Sequence, residues 1–241
     1  LKHSPHARAL ILKVGVIDGA KPFAWKKLKA AVDTADAGDT IFVRGTIQAT
    51  NDAGNFGQIL ITKKISIEGE GGPAVLDANG EAGGKAAHRI FSVTGAELTL
   101  KNLTLKGGKA AGAGEDGNGG AIAVSGGTVN MRFCDLNGNE AWGGGAVFAG
   151  KDGNVNITDC TLRGNKTHYA GGALYASGAT VSITNGVLTA NETQNFGGAI
   201  YAGKAGSTPS TVTISGGVIG GETAADANKA TGTIGTTTEG T

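Results

Sequence analysis

Four aspartates are the candidate catalytic carboxyls of this sequence: Asp77, Asp135, Asp152 and Asp159. Hydrolysis of a glycosidic bond needs two carboxyls at a set separation, and elimination from a uronate needs carboxylates that hold Ca²⁺ beside an arginine that removes a proton. Only Asp135 and Asp159 come close when the repeats of the chain are aligned. Because Asp135 follows a cysteine and Asp159 precedes one, they fall on opposite sides of that column, and no acid–base pair is predicted.

Basic and metal-binding side chains do not complete a catalytic site either. Arg132 and Arg163 are as consistent with solvated surface charges as with catalysis. The four histidines are expected in the N-terminal tail or in turns: His3, His6, His88 and His168. Glu115 and Asp116, adjacent in the Gly-rich GEDGNGG, could hold Ca²⁺ loosely, but two neighbouring carboxylates in such a turn are usually only solvated. No cofactor is predicted, and catalysis is not favoured.

Aromatic side chains recur at a more regular spacing. They form two sets, one just after a Gly-Gly-Ala tripeptide and one just before it: Phe148, Tyr175 and Tyr201, and Trp142, Tyr169 and Phe196. Rings stacked about 4.8 Å apart could present a platform to sugar rings or to the apolar surface of another protein. The alternative is that the rings only pack on one another and shield the backbone. These six residues are the candidate ligand-binding residues.

An internal repeat carries these residues. The Gly-Gly-Ala tripeptide begins at four positions separated by 25, 27 and 26 residues: Gly119, Gly144, Gly171 and Gly197. A second phase repeats valine every 26 residues, at Val129, Val155 and Val181. Weaker copies at steps of 31 to 33 residues extend the repeat in both directions, at Ile65, Leu98 and Val212. A fixed period of this length predicts a solenoid.

Composition and strand length select the kind of solenoid. Of 241 residues, 39% are hydrophobic, only 5% are aromatic and 44 are glycine, which suits a thin core of small aliphatic side chains. The strand signals, such as VNM, VNI and VSI, are too short for helices and are separated by Gly, Asn and Asp. A repeat of this length accommodates three short strands and three turns, so we predict an all-β, right-handed parallel β-helix.

The N-terminal part differs from the repeats and predicts an amphipathic capping helix. Five apolar residues stand at helical spacing and would cover the open end of the first coil: Trp25, Leu28, Ala31, Val32 and Ala35. The predicted single domain has an N-terminal segment with the helix, then the coils, then a partial coil or frayed end: residues 1–38, 39–221 and 222–241. An open C-terminal coil would also allow end-to-end association.

Asparagines and cysteines repeat at fixed phases. Asn139, Asn165 and Asn191 predict a ladder at a corner, because Asn tolerates the left-handed region and can bond amide to amide along a stack. Cys134 and Cys160 stand one repeat apart. Parallel side chains in register point the same way, so an unbonded buried pair is favoured over a disulfide, although the spacing allows both.

Three longer turns offer a second candidate binding face. Residues 48–57, 79–88 and 106–118 all precede the same strand phase and should stack on one edge of the solenoid. Insertions on one face of a repeat protein often build its binding surface. This edge competes equally with the aromatic columns.

Two motifs carry a resemblance to known families. The helix followed by AGDTIFVRGTI resembles the entry of right-handed β-helix proteins of the pectate-lyase-like superfamily. The repeats resemble those of the polymorphic outer membrane proteins and related bacterial surface adhesins, which join an F-x-x-N element to a G-G-A-[ILV] element. Here Leu136, Leu162 and Leu188 stand in place of the Phe. The likeness covers roughly residues 22–221; it is specific for the fold and weak for function.

The resemblance implies a bacterial protein that is secreted or exposed on the cell surface. Its role would be adhesion or display, with a host or matrix protein or a glycan as partner. The alternative is a carbohydrate-active enzyme, a lyase or hydrolase acting on an acidic polysaccharide. A formal charge of +1 argues against nucleic acid, and no apolar run approaches the roughly 18 residues that span a bilayer. No signal peptide is recognised, so the location rests on the repeat type alone.

Overall fold

The structure is a computed structural model of the chain, and it describes residues 15–79 and 87–231. Short parallel strands stack into a β-solenoid of about 7 turns, with one short helix near the N-terminus. The predicted all-β class, parallel β-helix and N-terminal helix are thereby confirmed. His3 and His6 lie outside the described residues.

The regular elements are short. Helix α1 spans Ala24–Thr34, and a single turn of 3-10 helix spans Glu115–Gly117. The strands are, in chain order, β1 (Ile17–Asp18), β2 (Thr40–Arg44), β3 (Thr46–Gln48), β4 (Ile59–Ile61), β5 (Ile65–Gly69), β6 (Ala74–Asp77), β7 (Phe91–Thr94), β8 (Glu97–Lys101), β9 (Leu103–Lys106), β10 (Ile122–Ser125), β11 (Thr128–Arg132), β12 (Asp135–Asn137), β13 (Glu140–Gly143), β14 (Val147–Ala149), β15 (Asn154–Thr158), β16 (Thr161–Arg163), β17 (Lys166–Ala170), β18 (Leu174–Ser177), β19 (Thr180–Thr189), β20 (Glu192–Thr193), β21 (Ile200–Ala205), β22 (Thr208–Pro209), β23 (Thr211–Ile219) and β24 (Lys229–Ala230).

Each coil crosses three faces. The first face stacks β1, β2, β5, β8, β11, β15 and the first halves of β19 and β23; the second face stacks β3, β6, β9, β12, β16 and the second halves of β19 and β23. These two faces belong to one 13-stranded sheet, because β19 continues around the corner between them. The third face is a 7-stranded sheet of β4, β7, β10, β14, β18 and β21, with β22 added antiparallel.

The later coils contain one strand more than the three predicted. Strands β13, β17, β20 and β24 form a 4-stranded sheet between the second and third faces. Their sequences, such as KTHYA, do not alternate cleanly between apolar and polar residues, so they gave no strand signal. His168 consequently lies in β17 and not in a turn as expected.

The predicted repeat phases coincide with the observed register. Val129, Val155 and Val181 are direct partners on the first face, and all three are fully buried. The weaker copies join the same column, since Ile65 pairs with Leu98 and Leu98 with Val129, while Val181 pairs with Val212. Alternation along each strand sends the intervening residues outward. The core is therefore a thin aliphatic column along the solenoid.

The asparagine ladder is confirmed and is longer than predicted. The Nδ2 of Asn139 donates to Oδ1 of Asn165, and that of Asn165 to Oδ1 of Asn191, both at 3.0 Å. Asn191 bonds in the same way to Asn228 at 2.9 Å. Each of the first three amides also donates to a backbone carbonyl of the second face: Leu105, Leu136 and Leu162. Buried amides with every partner satisfied fix the corner of each coil.

Helix α1 closes the N-terminal end. Trp25 and Leu28 are fully buried and belong to the same apolar cluster as the first coils. The helix contacts β1, β3 and β4, and the Trp25 indole donates to the Gly57 carbonyl at 2.9 Å. The predicted cap therefore covers the apolar interior at this end.

The two cysteines are free thiols in a buried column. Both are nearly inaccessible, and the Cys134 backbone N–H donates to Sγ of Cys160 at 3.3 Å. Hydrogen bonding with Cys160 and burial hold the pKa of Cys134 well above its ordinary value. The unbonded pair predicted from the register is thus what the structure contains, and a protonated buried thiol behaves as a small apolar side chain.

Candidate functional site

Phe148, Tyr175 and Tyr201 form a column on the outer side of the third face. They are direct partners in the parallel register of β14, β18 and β21. The centroids of Phe148 and Tyr175 are 5.3 Å apart and those of Tyr175 and Tyr201 are 5.4 Å apart, with tilted planes. The residues that precede Phe148 and Tyr175, Val147 and Leu174, are fully buried, as the predicted alternation requires.

Trp142, Tyr169 and Phe196 form a second column beside the first. The Trp142 and Tyr169 rings are stacked at 6.1 Å with an interplanar angle of 4°, and Tyr169 meets Phe196 edge-on at 6.0 Å. Two contacts join the columns, Tyr169 with Tyr175 at 6.2 Å and Phe196 with Tyr201 at 5.8 Å. The six rings thus make one continuous patch, which we call the aromatic surface.

Accessibility increases along the aromatic surface toward the C-terminal coils. Phe148 is only 6% exposed, whereas Phe196 is 48% exposed, and the other four rings are partly buried. Glycine lets the rings approach the backbone, because a Cβ at Gly143 would lie 2.7 Å from Cδ1 of Tyr175. Phe148 is therefore nearly covered by its neighbours, and the accessible area belongs to the other five rings.

The third long turn borders the aromatic surface. Its 3-10 helix, Glu115–Gly117, packs against β13, the strand that carries Trp142. Asn118 follows and is 4% exposed, with an Oδ1 that accepts no hydrogen bond. All three long turns join the second face to the third, as predicted, although residues 80–86 of the second turn lie outside the described residues. The two competing candidate faces are therefore neighbours.

The hydroxyl of Tyr175 stays protonated within the aromatic surface. Burial among the rings raises the pKa of Tyr175 above its ordinary value. A tyrosine in this state offers both an apolar ring and a donor. The surface as a whole can contact a flat apolar group and form a small number of hydrogen bonds at its edge.

Three of the four candidate catalytic aspartates pair with cations of neighbouring coils, whereas Asp152 is exposed in the turn before β15. Asp135 contacts Arg163 at 3.1 Å, and Asp159 contacts Arg132 at 3.8 Å. Asp77 is buried and paired with Lys106 at 3.2 Å, and it also accepts a bond from Gln48. Asp77 and Lys106 are direct register partners, whereas the two arginine pairs are diagonal between neighbouring coils. The two arginines are thus ion-pair partners and not merely solvated charges.

A ladder of alternating charge escaped the sequence analysis. It consists of five residues that are direct register partners in successive coils, at the corner between the second and third faces: Lys109, Glu140, Lys166, Glu192 and Lys229. Lys109 and Glu140 are 2.9 Å apart, and a cavity of ≈ 160 Å³ opens beside them. The available signal was the residue after each ladder asparagine, whose charge changes sign at every repeat.

Among the described residues, no three His, Cys, Asp or Glu side chains gather into a group that could hold a metal ion. Glu115 and Asp116, the expected weak Ca²⁺ position, lie in the 3-10 helix, and the carbonyl of Asp116 accepts a hydrogen bond from Arg89. In residues 15–79 and 87–231, no helix has the length and apolar character needed to cross a membrane.

Comparison with known proteins found no matching family model, no matching curated protein and no matching solved structure. The parallel β-solenoid is shown by the structure itself. The resemblance to the pectate-lyase-like superfamily and to surface adhesin repeats remains a prediction from sequence motifs.

Proposed function

We propose that this chain is a non-catalytic β-helix protein that binds a glycan, or a matrix or host protein, through its aromatic surface. The observation that carries the proposal is the continuity of six rings over three coils, ending in the half-exposed Phe196. Isolated exposed aromatics are ordinary on protein surfaces, but a joined patch of this kind is characteristic of recognition sites.

The chemistry of the aromatic surface favours a ligand with flat apolar faces and hydroxyl groups. Sugar rings fit this description, because their C–H faces pack on aromatic rings and their hydroxyls exchange hydrogen bonds with Tyr and Asn side chains. The formal charge of +1 supplies no strong field for a highly charged polymer. We therefore expect uncharged or weakly charged glycans to bind better than polyuronates.

The biological setting follows the repeat type. Adhesin-like repeats and a pectate-lyase-like entry favour a secreted or cell-surface bacterial protein that adheres or displays a binding surface. A lyase or hydrolase for acidic polysaccharides is the competing function. It would need a carboxylate pair or a Ca²⁺ group, and three of the four candidate aspartates are already paired with Arg132, Arg163 or Lys106.

The test is an incubation of the purified chain with labelled polysaccharides and matrix proteins, followed by size separation that reports both retention and cleavage. Phe196→Ala is expected to weaken retention at least about tenfold while leaving the melting temperature nearly unchanged. Phe133→Ala is the matched control, because Phe133 is 47% exposed and lies outside the aromatic surface. Equal retention by both variants contradicts the proposal, and shortened uronate chains would favour the enzyme.

A further inference from the structure

The ladder of alternating charge and the aromatic surface lie on the same corner strands. In β13, Glu140 of the ladder and Trp142 of the aromatic surface both point outward, because Ala141 between them is buried. In β17, Lys166 precedes Tyr169 by three residues, since this strand holds one extra residue where its register with β13 shifts. Two residues of a strand span about 6.6 Å. A ligand that lies on the rings is therefore close enough for one of its substituents to reach the ladder.

A cavity of ≈ 160 Å³ opens in the charge ladder at this corner. Glycines line its walls, among them Gly138 and Gly164, and its charged residues are Lys109, Glu140 and Lys166. Because glycine has no side chain, the walls leave space for a group from outside the chain. Two lysines and one glutamate give the lining one excess positive charge. The cavity is thus suited to a small anionic group.

Lys166 is the cation of this cavity that forms no ion pair among the described residues. Glu140 is its neighbour in the ladder, but the two oxygens of that carboxylate are directed elsewhere. Oε2 lies 2.9 Å from Nζ of Lys109, and Oε1 lies 3.8 Å from Nε2 of His168. Glu192, the ladder neighbour on the other side, forms no ion pair with it in the described part of the chain. The exposed ammonium group of Lys166 is therefore available to an external anion.

A carboxylate is the anionic group that fits this position best. It is small, it accepts several hydrogen bonds, and its single charge matches the excess charge of the lining. The carboxylate of Glu140 at the same rim disfavours groups of higher charge, such as phosphate monoesters. The neighbouring rings need uncharged sugar faces. Acidic groups must therefore be isolated along the polymer and not present on every sugar.

We propose that the cavity beside Lys166 binds a single carboxylate substituent of a glycan whose sugar rings lie on Trp142 and Tyr169. This site rests on the proposed function, because the aromatic surface supplies the platform for the sugars. It narrows the ligand to a sparsely acidic polysaccharide, in which isolated carboxylates are attached to an otherwise neutral chain. The rings supply the contact area, and Lys166 determines the specificity.

Affinity electrophoresis of the full chain tests the specificity. The probes are dextran, mannan and hydroxyethyl cellulose, each in its neutral form and after sparse carboxymethylation. For a polysaccharide that retards the chain, we expect the carboxymethylated form to act at about a tenth of the concentration that the neutral form needs. Equal retardation by the two forms overturns the carboxylate site and leaves the proposed function intact. Retardation by none of the six probes overturns both the site and a glycan ligand.

Lys166→Gln is the variant that tests the site. It should lose about tenfold in apparent affinity for the carboxymethylated form and nothing for the neutral form. Lys151→Gln is the matched control, because it removes the same charge from an exposed lysine in the turn before β15, outside the cavity. Phe196→Ala should weaken both forms equally. Equal losses from the two lysine variants would reduce the effect to net charge and overturn the site, and thermal unfolding confirms that all variants are folded.

Sodium acetate tests the cavity without any polysaccharide. In a titration at constant ionic strength, the backbone amide signals of Gly138 and Gly164 should shift in nuclear magnetic resonance spectra, because both residues line the cavity. The shifts should disappear in Lys166→Gln. Gly178, in the turn between β18 and β19, should not respond in either chain. Signals of the lining glycines that stay unchanged, or that move equally in both chains, overturn the carboxylate site.

Discussion

The corners of the solenoid differ between its two halves. The N-terminal coils extend up to Ser125 and the C-terminal coils from Gly126 onward, and both follow the same backbone path. Along the outward column of the third face, the early coils carry Leu60, Ser92 and Ala123, and the later ones carry Phe148, Tyr175 and Tyr201. The early coils place long turns between the second and third faces, where the later coils place a corner strand. Identical coil geometry therefore supports either insertions or ladders of side chains.

The difference shows how a buried corner satisfies its polar groups. In the first long turn, Asn55 bonds within its own coil and to the helix, donating to Thr50 and accepting from the Lys26 backbone N–H. In the later coils there is no long turn to supply partners, so Asn165 bonds to the coils above and below. The ladder asparagines thus couple neighbouring coils, whereas Asn55 of the first long turn bonds to its own turn and to the helix.

Asn165→Ala should break this distinction most strongly. The substitution removes the acceptor for Asn139 and leaves the Asn191 Oδ1 without the Asn165 amide, both in a fully buried column. We expect the free energy of unfolding to fall by about 3 kcal/mol, since unsatisfied buried groups add to the lost bonds. Urea denaturation measures the loss.

Two further asparagines serve as references for that experiment. Asn55→Ala should cost about half as much, because its partners belong largely to one turn. Asn156→Ala removes an outward, partly exposed bond to Asn130 and should cost less than about 1 kcal/mol. If all three variants lose equal stability, coupling between coils does not distinguish the later corners.

Much of the difference between the early and the later coils could be predicted from the sequence. Residues one period apart, such as Val129 and Val155, predicted their pairing, because a solenoid converts sequence spacing directly into contact. The same logic identified the asparagine ladder and the six rings. It did not reveal how far each ring is covered, since the near burial of Phe148 depends on the tilted Tyr175 ring beside it and on the close approach of the chain at Gly150.

Glu140→Lys tests the charge ladder of the later coils. The substitution would place three lysines in successive coils and remove the contact of Glu140 with Lys109. We expect a loss of about 1 kcal/mol that shrinks with added salt, because these side chains are partly exposed. Thermal unfolding at low and high ionic strength measures it. Glu222→Lys, an exposed carboxylate outside the ladder, should change stability little; an equal loss there would argue against register-specific pairing.

The ladder was missed because charge is not what usually defines a repeat. Apolar and glycine positions are constrained by the core and by turns, and they repeat by identity. Lys109 and Glu140 occupy equivalent positions but carry opposite charges, so a search for identical residues does not find them. The extra corner strands were missed for a related reason, since their pairing depends on the neighbouring coil and not on their own alternation.

Phe133→Asn should have the smallest effect and the opposite sign. Phe133 occupies the left-handed region with φ 53, at a corner where Asn102 has φ 53 and Asn185 has φ 52. Asn tolerates this conformation better than Phe, but the substitution also removes the contact of the ring with Arg132. We expect a net gain of about 0.5 kcal/mol in the free energy of unfolding.

The reciprocal substitution sharpens that comparison between coils. Asn102→Phe, in the preceding coil, should lose about 1 kcal/mol in a denaturant titration. A gain in stability from Asn102→Phe, or a clear loss from Phe133→Asn, would show that backbone strain does not govern this corner.

In-register stacking also makes the length of the solenoid proportional to its number of coils. With about 7 turns at roughly 4.8 Å each, the distance from the helical cap to the open end is roughly 34 Å. A genetic duplication or loss of one whole repeat would change that distance by the rise of one coil and leave every other strand aligned. Loss of a single residue within a strand would instead turn inward side chains outward. Length in this architecture can therefore evolve in discrete steps, independently of what the surface binds.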